Sequence, residues 1–239
     1  HTLTPPAYKQ IIRTSIKSFC LKQWCIDLIC EQYYNRQKRI YSYKRICTQF
    51  AERQKAGVGM ASPKSCAILG HNPMRFAWGF DEEAAECHDM KMELAQQIMV
   101  LRQQGVTHFS VACDYGVGLY AAEIINALRN DDSELMLFCI TPYEEQATKW
   151  TPALRERYFD MLIKCTHMTA VSLHKQPDAQ LEAYRTIIRQ SDMVLAVYDP
   201  ASARGDDTDK AISYARELHR PMLMIHPDTL KTTYSCVEV

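Results

Sequence analysis

Glycine is scarce in this sequence, with only 8 among 239 residues, and no long apolar run is present. The longest apolar candidate, around residues 19–30, is interrupted by Lys22, Gln23 and Asp27. Because a membrane-spanning helix needs roughly 18–20 consecutive apolar residues, we expect no membrane partner. The sequence shows no internal repeat, no low-complexity tract and no signal-peptide pattern, and 47% of its residues are apolar. These features indicate a globular protein with a substantial core.

Ten cysteines are present, but none of them belongs to a Cys-x-x-Cys pair. Cys20, Cys25 and Cys30 are five residues apart, a spacing that spreads them around a helix instead of gathering them on one face. Because pairs of zinc-ligand type are missing, we predict no metal site and no cofactor. Without a secretory pattern, reduced thiols and a cytoplasmic location are the expectation.

The net charge is zero, but the charged residues are unevenly distributed. Residues 1–60 carry 11 Lys and Arg against 3 Asp and Glu, a net charge of +8, whereas residues 61–239 carry a net charge of −8. This asymmetry predicts a chain of two parts. We expect a basic helical segment and linker over residues 1–61, a main domain over 62–229 and a tail over 230–239.

The main domain alternates short apolar runs with segments of helical periodicity. Predicted strands cover residues 65–69, 108–112, 135–140, 170–173, 193–198 and 221–225, and predicted helices cover 82–104, 117–129, 144–164, 178–189 and 208–218. Nearly continuous apolar strands between helices predict an α/β fold, a Rossmann-like three-layer domain with a mostly parallel sheet. In such sheets ligands bind beyond the carboxyl ends of the strands.

Three loops that follow predicted strands hold four of the eight glycines. Glycine there allows backbone N–H groups to approach a ligand closely, and a helix that begins after the loop favours an anion. Each polar residue has a structural alternative: a tight turn for the first loop, a helix cap for Thr208, buried filler for Cys113 and a solvated charge for Glu123. The predicted ligand-binding residues are Gly70, His71, Asn72, Cys113, Asp114, Tyr115, Gly116, Gly118, Glu123, Tyr198, Asp199, Gly205 and Thr208.

The same loops, in the same order, resemble the YpsA-like branch of the SLOG superfamily, to which the DprA and LOG proteins also belong. The resemblance covers roughly residues 64–228 and rests on an ordered series of short motifs. These motifs are Gly70-His71 with Pro73, Phe76, Trp78-Gly79, Gly116-Val117, Ala121-Ala122-Glu123, Thr141-Pro142-Tyr143, Gln146, Trp150, Arg155, Tyr158, Ser191-Asp192, the strand ending in Tyr198-Asp199, and Gly205 to Thr208. The resemblance implies a Rossmann-like fold that binds nucleotides or their derivatives, including ADP-ribose-type molecules.

Several positions depart from the pattern of that branch. The usual Gly-His-Arg-Pro has Asn72 in place of arginine, and the usual Val-Asp is Val117-Gly118. Ala112-Cys113-Asp114 stands where Gly or Ser-Gly is usual before the second helix, and Gly205-Asp206-Asp207-Thr208 replaces Gly-Gly-Thr. Two adjacent carboxylates in the third loop would repel a phosphate, unless a divalent ion lay between them. The departures therefore predict either a different ligand or weakened binding on a preserved scaffold.

Three functions fit these features. The first is binding or sensing of a nucleotide-derived small molecule, with no firm catalytic activity. The second is an N-glycosidic phosphoribohydrolase related to LOG, in which Glu123 would act, although the Pro-Gly-Gly-x-Gly-Thr loop of such enzymes is absent. The third is a DprA-like nucleic-acid-binding protein, whose basic N-terminal helices would contact phosphates. The alternative for those helices is packing on the acidic domain, and the resemblance adds a possible homodimer.

Overall fold

Seven strands form one sheet in a computed structural model that describes residues 64–235. The basic helices and linker predicted for residues 1–61 lie outside the described residues. The strands are β1 Ser65–Gly70, β2 His108–Val111, β3 Met136–Tyr143, β4 His167–Ser172, β5 Met193–Val197, β6 Met222–Ile225 and β7 Thr232–Ser235. The helices are α1 Ala85–Gln103, α2 Val117–Leu128, α3 Pro152–Lys164, α4 Ala179–Arg189 and α5 Asp207–Glu217.

The strand order across the sheet is β4-β3-β2-β1-β5-β6-β7. All neighbouring strands are parallel except β6 and β7, which are antiparallel. The chain adds β2, β3 and β4 on one side of β1 and then returns to add β5 on the other side. Loops that follow β1 and β5 therefore diverge to opposite faces, which leaves a crevice at the carboxyl ends of these two strands.

Alternating residues of β1 separate two apolar layers. Cys66 and Ile68 face the side covered by α1, α2 and α3, whereas Ala67 and Leu69 face the side covered by α4 and α5. All four side chains are fully buried. Because both faces of the strand are covered, its sequence is apolar without alternation, as is typical of parallel sheets. The predicted α/β three-layer fold is thus confirmed.

The structure differs from the sequence pattern at three elements. The helix predicted over 144–164 is divided: β3 continues to Tyr143, a 3-10 turn covers Gln146–Lys149, and α3 begins at Pro152 behind the Thr151 cap. Proline suits the first turn of a helix and interrupts its interior, which explains the new start. Strand β4 begins three residues earlier than predicted, and β7 lies in the segment predicted as a tail.

Among residues 64–235, no helix is long and apolar enough to cross a membrane. Five cysteines of this part of the chain are free thiols, and four of them are buried.

Candidate ligand site at the strand ends

Twelve of the thirteen predicted site residues lie in or next to the loops at the carboxyl ends of β1, β2 and β5. The first loop follows β1 at Gly70, the second joins β2 to α2, and the third joins β5 to α5. Glu123 is the exception, since it lies in the second turn of α2. The fold therefore brings the three loops to the same edge of the sheet, as their sequence positions predict.

His71 connects the end of β1 to the end of β5. Its backbone N–H donates to the carbonyl of Val197, and its Nε2 accepts a hydrogen bond from the Asp199 N–H at 2.9 Å. Burial, reinforced by the charge of Arg75, lowers the pKa of His71 to about 4. The neutral ring therefore carries its proton on Nδ1. This Nδ1 is buried and has no hydrogen-bond partner among the described residues.

Arg75 joins the first loop to the third, a role that no sequence motif indicates. Its Nη1 lies 2.6 Å from Asp206 Oδ2 and 3.3 Å from Asp209 Oδ1, and its Nη2 donates to the Ser202 carbonyl at 2.5 Å. Only 6% of the Arg75 side chain is exposed. The several carboxylates of the third loop were an indirect signal of such a partner, because buried carboxylates require a cation nearby.

The N–H groups of the third loop converge on a carboxylate of the protein itself. Asp209 Oδ2 accepts hydrogen bonds from the N–H groups of Arg204 at 2.6 Å, Gly205 at 2.6 Å and Asp206 at 3.2 Å. Burial alone would raise the pKa of Asp209, but hydrogen bonds from the Arg204 N–H, the Tyr198 hydroxyl and Arg75 outweigh it and lower this pKa to about 2. The loop that was expected to hold an external anion therefore already holds an internal one.

The other polar residues of the third loop also have partners within the protein. Thr208 donates its hydroxyl to the Gly70 carbonyl at 3.0 Å, and the helix cap is Asp206, which forms a capping box with Asp209. Asp207 lies 3.8 Å from Lys210 Nζ, so Asp206 and Asp207 do not face a common point as ion ligands would. No group of His, Cys, Asp or Glu in residues 64–235 is arranged to hold a metal ion.

The second loop owes its shape to two glycines with different neighbours. Gly116 has a φ of +120°, and a Cβ there would lie 2.9 Å from the ring of Pro73. A Cβ on Gly118 would lie only 2.4 Å from Asp114 Oδ1. The protein's own side chains thus fill the room left by both glycines. The Asp114 carboxylate occupies the space that a side chain at position 118 would need.

Asp114 places a buried carboxylate at the start of α2. Burial raises its pKa to about 6, and the N–H groups of Asp114 and Gly118 oppose this rise. Within the described domain, its buried Oδ1 makes no hydrogen bond of good geometry. On the α4 side lies the buried Tyr184, whose pKa is raised by burial and then by the charge of Asp114. The carboxylate therefore lies near Tyr184 of α4.

Cys113 connects the second loop to the loop after β3. It is fully buried with a φ of +51°, an uncommon conformation for a residue with a side chain. Its carbonyl accepts a hydrogen bond from Gln146 Nε2 at 3.0 Å. Gln146 Oε1 is buried and has no partner in the described part of the chain. Cys113 thus has the features of the buried filler that was its structural alternative.

Tyr115 belongs to a row of aromatic rings beside the second loop. Its ring stacks on Phe80 at a centroid distance of 5.6 Å and meets Trp150 edge-on at 5.4 Å, and Trp150 in turn meets Tyr158 at 5.0 Å. Phe80 is 57% exposed, so one end of this row faces solvent.

Glu123 is engaged on both oxygens by one arginine. Arg157 of α3 donates from Nε to Oε1 at 2.7 Å and from Nη2 to Oε2 at 2.9 Å. The same guanidinium binds Glu82 at 2.8 and 3.1 Å, and Lys91 lies 2.6 Å from Glu82. Glu123 is therefore not a solvated charge, since it belongs to an ion-pair network that links α2 to α3.

Two remaining residues shape the loops. Asn72 is exposed, and its side chain accepts a hydrogen bond from the Met74 N–H at 3.0 Å, which is the tight-turn role. Asp199 accepts from the Ala201 N–H at 2.9 Å and lies 3.6 Å from His226 Nε2. A separate open depression lies between α4 and α5 and is lined by Arg185, Gly205, Asp209, Lys210, Ser213, Tyr214 and Glu217.

Comparison with known proteins identifies the family of the described domain. The model of the YpsA family, described as the YspA SLOG family, matches residues 66–230. The chain belongs to this family. A UPF0398 protein of Halalkalibacterium halodurans is 32% identical over 114 residues, which are 46% of this chain and 59% of that protein. A UPF0398 protein of Bacillus cereus is 27% identical over 139 residues, 57% of this chain and 74% of that protein.

A solved structure of DNA processing protein A from Helicobacter pylori is similar at 14% identity with a TM-score of 0.45, over 68% of this chain and 65% of that one. That structure concerns the single-stranded DNA binding mode of the Helicobacter pylori protein. The predicted resemblance to the YpsA-like branch is confirmed by the family match, whereas the site residues, the homodimer and the ligand stay predictions.

Proposed function

We propose that the described domain binds a nucleotide-derived small molecule in the crevice at the carboxyl ends of β1 and β5. The observation that carries this proposal is that several buried polar atoms on the segments after β1, β2 and β3 have no partner among residues 64–235, including His71 Nδ1, Arg75 Nε, Asp114 Oδ1 and Gln146 Oε1. At least about 90% of buried polar groups in proteins have a hydrogen-bond partner. Unpartnered atoms on several loops at the carboxyl edge of the sheet therefore suggest a ligand that supplies their missing hydrogen bonds.

A thermal-shift panel of nucleosides, nucleotides, NAD and ADP-ribose tests the proposal. A ligand that binds only the native state stabilises it by about 2.7 kcal/mol at 100 times its Kd. The matched variants are Tyr115→Ala beside the second loop and Ile163→Ala, an exposed residue in the last turn of α3 at the opposite edge of the sheet. Tyr115→Ala should weaken the shift and Ile163→Ala should not. No shift with any ligand of the panel would refute the proposal.

Single-stranded nucleic acid is the second candidate, and the aromatic row supports it. Stacking of a base on an aromatic side chain contributes about 1–3 kcal/mol, and the exposed Phe80 begins such a row. The net charge of −8 over residues 61–239 opposes it. Fluorescence anisotropy with a single-stranded oligonucleotide at increasing salt tests this candidate, because phosphate contacts give a steep salt dependence. Binding that Phe80→Ala leaves unchanged would exclude the row as its site.

Glycoside hydrolysis finds less support in the geometry. A general acid or base must reach the reacting group, and both oxygens of Glu123 are held by Arg157. We therefore do not propose a reaction for this site.

A further inference from the structure

The exposed apolar side chains of the described domain are concentrated at one edge of the sheet. Among residues 64–235, eight large apolar side chains are exposed, and five of them lie on α3, on β4 or directly after β4, namely Phe159, Ile163, Met168, Val171 and Leu173. Single exposed apolar residues are ordinary on a protein surface, whereas a group of them in one place marks an interaction site. We call the surface formed by α3 and residues 167–173 the β4 edge.

Strand β4 lacks the features that usually protect an edge strand. It is the last strand on its side of the sheet and pairs only with β3 among the described strands. Edge strands commonly carry a charged residue or a proline, which prevents another chain from pairing with them. Residues 167–173 read His-Met-Thr-Ala-Val-Ser-Leu and include no Lys, Arg, Asp, Glu or Pro. The strand is therefore suited to pairing with a further strand.

The flank of α3 extends this surface on one face of the sheet. Arg157 binds Glu123 of α2, and Phe159 follows two positions later, about half a turn around the helix and thus on the flank away from α2. Met168 is in register with Cys139, whose side chain lies in the apolar layer under α1, α2 and α3. Met168 therefore lies on the same face of the sheet as α3, yet it is 51% exposed. The described elements thus leave this face of β4 uncovered beside α3.

The charges of the β4 edge fit a second copy of the chain. Residues 152–173 contain three Lys and Arg and two Asp and Glu, a net charge of +1, whereas residues 61–239 carry −8. Two copies with that net charge repel each other, and the repulsion is smallest where the surface is nearly neutral. A two-fold contact presents the same surface twice, so a surface with both signs can pair its charges across the axis. A nucleic acid or an anionic membrane would instead require a clearly basic surface.

We propose that the β4 edge is the contact between two copies of this chain. Strand β4 pairs antiparallel with β4 of the second copy across a two-fold axis perpendicular to the sheet, which joins the two seven-stranded sheets into one. The axis keeps both α3 helices on the same face, where Phe159 and Met168 of each copy form an apolar seam. The contact is independent of the proposed ligand site, because β3 and β2 separate β4 from β1.

Sedimentation equilibrium of the full chain at pH 7.5 tests the inference. We expect a reversible equilibrium between monomer and dimer at concentrations up to about 100 μM. Met168→Lys places a charge on the uncovered face of β4 and should raise the dimer Kd by about 100-fold, because each dimer contains the substitution twice and each copy counts for about ten-fold.

The matched control is Met74→Lys, which makes the same substitution at a 74% exposed position after β1. It should leave the dimer Kd within about two-fold. If Met168→Lys does not fold, as judged by circular dichroism, Leu173→Lys replaces it, because Leu173 is 64% exposed.

Hydrogen exchange of the backbone amides distinguishes strand pairing from any other contact. Amides of residues 167–173 that point away from β3 gain a hydrogen-bond partner in the dimer. They should therefore exchange more slowly in the wild-type dimer than in Met168→Lys, whereas the amides of β7 at the other edge should exchange equally in both.

A wild-type chain that stays monomeric over the whole concentration range would overturn the inference. So would a dimer that Met168→Lys leaves unchanged, or that Met74→Lys weakens equally. A dimer without slower exchange over residues 167–173 would overturn the pairing of β4. None of these results bears on ligand binding at the loops after β1, β2 and β5, which the thermal-shift panel tests separately.

Discussion

The contact between Asp114 and Gly118 predicts that the effect of Gly118→Ala on stability depends on whether the Asp114 carboxylate is present. Gly118 has helical geometry in the first turn of α2, so Gly118→Ala alone would gain up to about 1 kcal/mol of helix propensity. However, the new Cβ would lie 2.4 Å from Asp114 Oδ1 and 3.1 Å from its Cγ. Overpacking of this kind typically costs about 1–3 kcal/mol. We therefore expect Gly118→Ala to destabilise the protein.

Asp114→Ala removes the carboxylate and with it the collision. In that background Gly118→Ala should be neutral or stabilising, which gives a coupling free energy of about 2 kcal/mol. For a domain of this size that corresponds to about 4–8 °C in Tm. Thermal unfolding of the four proteins at pH 7.5 measures the cycle. If Gly118→Ala changes Tm equally in both backgrounds, the carboxylate does not occupy the space beside Gly118.

The same four proteins also report on the burial of Asp114. Burial raises its pKa from the ordinary value of 3.8 to about 6 in the folded protein, so the native state binds the proton more tightly than the unfolded state. Stability from this group is present below about pH 4 and is lost as the pH rises through 6. Relative to the wild type, Asp114→Ala should therefore gain stability between pH 4.5 and pH 8, by at most about 3 kcal/mol.

Three further predictions concern the neighbouring groups. Asp209→Asn should cost about 2–4 kcal/mol in urea unfolding, because it leaves a buried guanidinium and loop N–H groups poorly paired, whereas the exposed Asp207→Asn should stay within about 0.5 kcal/mol. Burial lowers the pKa of His71 from the ordinary value of 6.5 to about 4, so its contribution to stability should be lost as the pH falls from 6.5 to 4, and His71→Gln should show a flatter pH profile of stability over that range. Glu123→Gln should cost about 1 kcal/mol or less, with the loss shrinking at high salt, because its pair with Arg157 is partly exposed; a loss that salt does not change would contradict the ion-pair account.

The fold followed from the sequence because strand and helix signals are local. Apolar runs such as Ser65–Gly70 and Met193–Val197 are buried on both faces, so their composition alone indicates a parallel sheet. The main exception within the domain was the helix predicted over 144–164, which is divided before Pro152. That proline was a visible signal of the new helix start. Strand β7 carried a weaker signal, since its alternating polar residues lie at the edge of the sheet and bury little.

The side-chain contacts of the site could be predicted from the sequence less well than the fold, because they join residues that are distant in sequence. Arg75 lies 131 positions before Asp206, and no local pattern connects them. Thr208 matched a phosphate-ligand pattern, but its hydroxyl is taken by the carbonyl of Gly70, 138 positions away. Asp114 and Gly118 are only four positions apart, but nothing in the sequence indicated that the Asp114 carboxylate fills the space beside Gly118.

The carboxylates at the starts of α2 and α5 bear on how a family scaffold could change its ligand. A glycine-rich loop before a helix binds anions only while its N–H groups are free, and a single carboxylate placed among them removes this capacity without altering the backbone. Asp209 does this in the third loop, where Arg75 balances its charge and holds the loop to β1. Asp114 lies at the start of α2 without a cation of its own, and burial raises its pKa to about 6. The Asp209 carboxylate, which Arg75 balances, therefore stabilises the third loop, whereas the Asp114 carboxylate costs stability at neutral pH, which is the cost that Asp114→Ala measures.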